Sequence, residues 1–183
     1  MNASLKFKFI GQNTFKLLQP IVKNQNILRY IKYLDKDDPL DKKLPDIDMR
    51  TDLITDGTII LTPFDKNVLA KEKIKIFFNP IDVDFGDGKN ILNTTYYTID
   101  IIMPTSKWKL SNGEFRAYMI AHEIAKEIDN KNIAGIGKVN IVGRAIQGKV
   151  TDTFSGLNFK IAVDSANKSV NKGWNKWMTL DSF

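Results

Sequence analysis

Residues 94–104 read TTYYTIDIIMP, in which Tyr97, Ile99, Ile101 and Met103 fall on one side of an alternating run and Thr98 and Asp100 on the other. A period of two puts alternate side chains on opposite faces of an extended chain, so this stretch predicts a strand with one apolar and one wetter face. Pro104 ends it, because proline has no N–H to give to a ladder. Upstream, KEKIKIFFNP (71–80) sets Ile74, Ile76 and Phe78 against Lys73, Lys75 and Phe77. Downstream, FSGLNFKIAVD (154–164) sets Leu157, Phe159, Ile161 and Val163 against Asn158, Lys160 and Asp164. GTIILTPF (57–64) adds a short strand, and IAGIGKVNIVGRAI (133–146) adds a glycine-bearing turn followed by another. Between two of these runs, VDFGDGKNILN (83–93) carries Gly86 and Gly88 and reads as a loop.

The strand-like runs are flanked by segments of helical period. Over residues 112–130, Ala117, Ile120, Ala121, Ile124 and Ile128 form one stripe, while Arg116, Glu123, Lys126 and Glu127 are expected away from it. Ser111 or Asn112 is the expected cap, with Glu114 in the first turn. A second helix, capped by Asn24 or Asn26, carries Ile27, Leu28, Ile31 and Leu34, and should stop before the irregular surface stretch DKDDPLDKKLPDID (35–48). Pro20 predicts a break or kink. Nearer the start, Leu5, Phe7 and Phe9 alternate with Lys6 and Lys8, which suits a half-buried edge strand or a pairing arm. The order α–β–β–β–α–β–β therefore predicts an α+β fold of two layers, an antiparallel β-sheet with two main helices packed on one face. Residues 1–12 form an N-terminal arm, 13–165 a single domain and 166–183 a C-terminal extension.

At 183 residues the chain can bury about 70% of its unfolded surface, enough for one ordinary core. No run approaches the roughly 18 apolar residues of a membrane span, and the N-terminus lacks the apolar region of a secretory signal, so neither is expected. The absence of cysteine excludes disulfides, thiolate catalysis and thiolate metal sites, and a single histidine excludes sites that need two imidazoles. The net charge of +6 permits contact with polyanions but describes solubility and association, not fold.

Motifs that could carry chemistry fail on spacing. AHEIAKEID places His122 and Glu123 like the start of a helical H-E-x-x-H zinc motif, but the second histidine is replaced by Lys126. Asp82, Asp84 and Asp87 resemble a calcium loop, yet counting from Asp82 the fifth position is Gly86, the sixth Asp87 and the twelfth Asn93, so the register is wrong. Gly135 and Gly137 read as a tight turn, not a phosphate cradle. No catalytic residue, metal ligand or cofactor is expected, and the chain is not expected to be an enzyme.

Aromatic residues outside a self-sufficient core are the remaining signal. Trp174 and Trp177 lie in NKGWNKWMTL (171–180), too polar to build its own core, so they dock on this domain, on a protein partner or, interleaved with Lys172 and Lys176, on nucleic acid. Phe7 and Phe9 pose the same question. Candidate interface residues are Phe7, Phe9, Phe85, Trp108, Trp174, Trp177 and Phe183. A small basic nucleic-acid-binding module using the Lys/Trp C-terminal segment is the alternative to an assembly role.

The order of KNQNILRYIKYLDKDDPL (23–40), PDI (45–47), EKIKIFFNP (72–80), the Asp/Gly-rich loop, YYTIDIIMPTSKW (96–108), GEFRAYMI (113–120) and IAGIGKVNIVGR (133–144) resembles small virion structural proteins of tailed bacteriophages, of the head–tail joining and tail-terminator type. The resemblance covers most of residues 20–165. It implies a non-enzymatic virion protein that forms a homo-oligomeric ring, hexamer or dodecamer, between portal and tail. Its neighbours would be portal, connector or tail proteins, double-stranded DNA would pass through the lumen, and no membrane is involved. The arm before residue 13 and the basic extension after Asp164 depart from the family pattern, which leaves neck connector, tail terminator and short-tail adaptor open.

Overall fold

The computed structural model describes residues 3–47, 57–61, 69, 73–84 and 94–165. Within them the alternating runs become β1 (Ile59–Ile60), β2 (Lys75–Asp84), β3 (Thr94–Pro104), β4 (Asn132–Ile133), β5 (Gly137–Lys149) and β6 (Phe154–Ser165), joined in one sheet of order β1-β2-β3-β6-β5-β4. The class is α+β, but the sheet is mixed: β1 runs parallel to β2, with Ile59 opposite Ile76, while the other pairs are antiparallel. The interval between Ile60 and Lys75 is long enough for the dozen or so residues that a parallel connection needs. A period of two does not encode strand direction, so this correction could not come from the pattern.

Three helices, not two, cover one sheet face among the described residues: α1 (Ala3–Lys23), α2 (Gln25–Lys32) and α3 (Arg116–Ile128). Residues 3–12 belong to α1 and not to an edge strand. The Lys/Phe alternation over residues 5–9 is too short to set a period, and it is overridden by Thr14, Leu17, Leu18, Ile21 and Val22, buried at helical spacing. Helix α1 also runs through Pro20, and the break comes at Asn24. One lost backbone bond in the last turn is offset by the buried Leu17, Leu18, Ile21 and Val22.

Asn24 caps α2 as expected, its Oδ1 accepting from the Ile27 N–H at 3.1 Å, and Ile27, Leu28, Ile31 and Leu34 are all buried. Helix α3 starts later than its pattern suggests. Asn112 closes a turn by accepting from the Glu114 N–H at 3.0 Å, a Lys109–Phe115 bridge follows, and Phe115 occupies the cap position without a side-chain bond. Arg116 and Glu123, expected outside the apolar stripe, are buried. The main core lies between the helices and the face carrying Tyr97, Ile99, Ile101 and Met103 of β3 with Leu157, Phe159, Ile161 and Val163 of β6. A second, smaller cluster of Phe77, Ile102 and Phe154 sits on the other face, with Ile60, Leu69 and Val150 packed against it.

Candidate assembly surface

The predicted interface residues part company. Trp108 is 7% exposed and belongs to the domain's own core, so its ring is not available to a partner. This corrects its place among the interface candidates: it follows the 3-10 turn Thr105–Lys107, which folds the chain back over the core before α3. The backbone of Phe7 and Phe9 lies in α1. The side chains of Phe7 and Phe9, together with Phe85, Trp174, Trp177 and Phe183, fall outside the described residues.

His122 is exposed on α3, and its neighbour Glu123 does structural work. The Glu123 carboxylate accepts from Lys126 at 3.0 and 3.1 Å and from Asn24 at 3.2 Å. Burial pushes its pKa up, but the hydrogen bonds from Lys126, Asn24 and Asn26 outweigh that and hold it below the ordinary glutamate value. Among the described residues no three His, Cys, Asp or Glu side chains converge as a metal site would require. Asp82 is exposed on β2.

What the sequence reading missed are the two flanks of the sheet. On one, β1 covers β2 only at Ile76 and Phe77, and no described strand pairs with the outer edge of β2 from Phe78 to Asp84. Ile81 is 45% exposed there, at the register shift between Pro80 and Asp82. On the other flank, β4 covers only Gly137 and Lys138 of β5. The Val139 N–H donates to the Lys131 carbonyl at 2.9 Å and the Ile141 N–H to Asp129 Oδ1 at 2.7 Å. Beyond Ile141 no described residue pairs with that edge, and Ile146 is 57% exposed.

The two edges differ chemically. Residues 79–84, NPIDVD, carry acidic groups and no basic ones, whereas residues 142–149, VGRAIQGK, carry basic groups and no acidic ones. Near the second edge, the rings of Phe115 and Tyr118 lie 6.2 Å apart, both exposed, and the Tyr118 hydroxyl donates to Gln147 Oε1 at 3.1 Å. That bond ties the start of α3 to the far end of β5.

A polar groove of about 700 Å³ runs between the second half of α1 and the β4–β5 turn, with Lys16, Lys23 and Lys131 on its walls. Lys16 Nζ donates to the Gly135 carbonyl at 3.1 Å and Lys131 pairs with Glu127 at 3.5 Å, so two of its three cations are turned to the chain's own groups. No described helix is long and apolar enough to cross a membrane.

Among solved structures, the chain is similar to one from the virion of a native gene transfer agent (GTA) particle, at 14% identity over 75% of this chain and 93% of that one, with a TM-score of 0.42. A likeness of that degree carries no argument about assembly. No curated protein matches the chain. The YomW family model matches residues 24–163, from the Asn24 cap of α2 nearly to the end of β6, and so spans α2, α3 and the whole sheet. The chain belongs to the YomW family.

Proposed function

We propose that this chain is a structural virion protein of a tailed bacteriophage, a non-enzymatic ring subunit in the head–tail connector or at the tail end that joins portal to tail. The order of its segments, which resembles head–tail joining and tail-terminator proteins, supports the class. The observation that carries the ring reading is the pair of sheet edges that no described strand fully covers, each with an exposed isoleucine and of opposite charge. A closed ring needs two different patches that meet head to tail, one on each side of the subunit. A self-matching patch would give only a dimer. Pro80 and the register shifts in β2 and β5 limit the ladder that either edge can extend, which suits a fixed neighbour better than open-ended sheet growth.

Native mass spectrometry or negative-stain imaging of the purified chain with portal and tail proteins is the test. Closed six- or twelve-fold assemblies are expected, and a strict monomer that ignores those neighbours refutes the reading. The head-to-tail geometry has its own check. Ile81→Asp and Ile146→Asp should each prevent closure alone, whereas an equal mixture of the two should form dimers through the one intact pair of edges.

A further inference from the structure

Strands β5 and β6 place Gly148 directly opposite Gly156, next to Ile102 on the sheet face that the helices leave uncovered. The two glycines open a cavity of about 200 Å³, walled by Ile102, Ile146 and Val150 and closed at one end by Asp100 and Asn158. Glycine inside a strand weakens it, through lost packing and entropy, and often marks a close approach by another group. At Gly156 the fold itself explains the residue, since a Cβ would come within 3.0 Å of Val150 Cγ2. At Gly148 it does not: a Cβ there would meet nothing within 4 Å. Gly148 is exposed, so that space opens to the outside and a larger side chain would fit there without displacing a neighbour.

The end of the cavity is charged. Asn158 Nδ2 donates to Asp100 Oδ1 at 2.7 Å, and no cation among the described residues forms an ion pair with Asp100. Lys149, on the rim, is engaged with Asp152 at 2.7 Å. Burial raises the Asp100 pKa and the Asn158 bond only partly opposes it, as expected of a carboxylate without a counter-charge. Apolar walls leading to one carboxylate match a side chain made of an alkyl stem with a cationic head.

We propose that this cavity receives a lysine or arginine side chain from a second copy of the chain, its stem against Ile102, Ile146 and Val150 and its head on Asp100. Charge argues for the donor: a chain of net charge +6 offers cations in excess of its own carboxylates. The donor's identity rests on the ring reading, whereas the chemistry of the cavity does not.

Two arms separate those failures. In the first, amide spectra of the full-length chain are recorded with N-acetyl-arginine methylamide, N-acetyl-lysine methylamide and, as control, N-acetyl-glutamate methylamide. The Gly148 and Gly156 signals should move and saturate with the two cations and stay put with the acid; Asp100→Asn and Gly148→Val should abolish the response. No response, or an equal one to glutamate, overturns the cavity chemistry. In the second arm, self-association is measured for the same two variants, neither of which removes a packing contact. Each should weaken it by roughly tenfold or more. Unchanged assembly of both variants, or a wild-type chain that never self-associates, overturns the second copy as donor.

Discussion

The guanidinium of Arg116, at the first position of α3, donates to the carbonyl oxygen of Leu34 at 3.1 Å across 82 positions of the chain. The same side chain reaches the carbonyls of Tyr30 at 3.1 Å, Tyr33 at 3.3 Å and Lys36 at 3.2 Å, and its Nε reaches that of Lys107 at 3.2 Å. The last carbonyls of a helix have no partner within it, and here one planar fork takes that of Tyr30 in α2 together with those of Tyr33, Leu34 and Lys36 just past its end. At 2% exposure, Arg116 is a buried clamp between the two helices and the 3-10 turn.

Replacing Arg116 with methionine should therefore destabilise the fold by about 3 kcal/mol or more, because several buried carbonyls lose a charged donor together. Arg116→Lys should recover only a fraction, since an ammonium cannot reproduce the fork. Urea unfolding midpoints measure both. A loss within about 0.5 kcal/mol, typical of surface changes, would contradict the clamp.

Asp100 should make the fold less stable as pH rises. Its folded-state pKa is raised, so the native state holds the proton more tightly than the unfolded chain does. Stability then falls as pH climbs from the ordinary aspartate range through the raised value. Asp100→Asn removes this penalty, so its thermal midpoint should exceed that of the wild type at pH 7 and converge with it in acid. A variant that is less stable at pH 7 would contradict this.

Glu123 should behave in the opposite sense. Its folded-state pKa is lowered, so its contribution is present above the ordinary glutamate range and is lost as pH falls through the depressed value. Glu123→Gln should cost stability at pH 7 and progressively less in acid, as followed by thermal unfolding across a pH series.

Gly135 adopts φ +74°, and a Cβ there would sit 2.8 Å from Lys16 Nζ, the group that bonds its own carbonyl. Gly135→Ala should cost about 1 kcal/mol from backbone strain, with more if Lys16 cannot move aside. Combining it with Lys16→Met should relieve the clash and leave the strain. Denaturant midpoints of the single and double variants separate the two.

Much of the architecture was legible in short windows. Tyr97, Ile99, Ile101 and Met103 are buried as their alternation requires, and so are Leu157, Phe159, Ile161 and Val163. The Asn24 cap was visible because capping is a contact over three positions. Residues 3–12 misled because five alternating residues say less than the helical spacing that follows them. Arg116 and Glu123 misled because a charged side chain can be buried wherever distant carbonyls or amides are waiting, and nothing near them in the chain announces those partners. Trp108 looked like an anchor for another protein only because its place in the domain's own core, just after the 3-10 turn, depends on distant segments.

The candidate surfaces lay beyond such reading altogether. Gly148 and Gly156 are unremarked glycines until register sets them opposite each other, and Asp100 meets Asn158 from 58 positions away. Whether β5 and β2 are edges depends on the strand order, which no local pattern contains. Composition and periodicity settled that this chain folds into helices and strands around one apolar face and lacks the residues for thiolate or paired-imidazole chemistry, because those properties are local or additive. Which strands are neighbours, which glycines face each other and which charges are buried came from folding, because they depend on contacts between segments far apart in the chain, chosen by burial and hydrogen bonding over the whole domain.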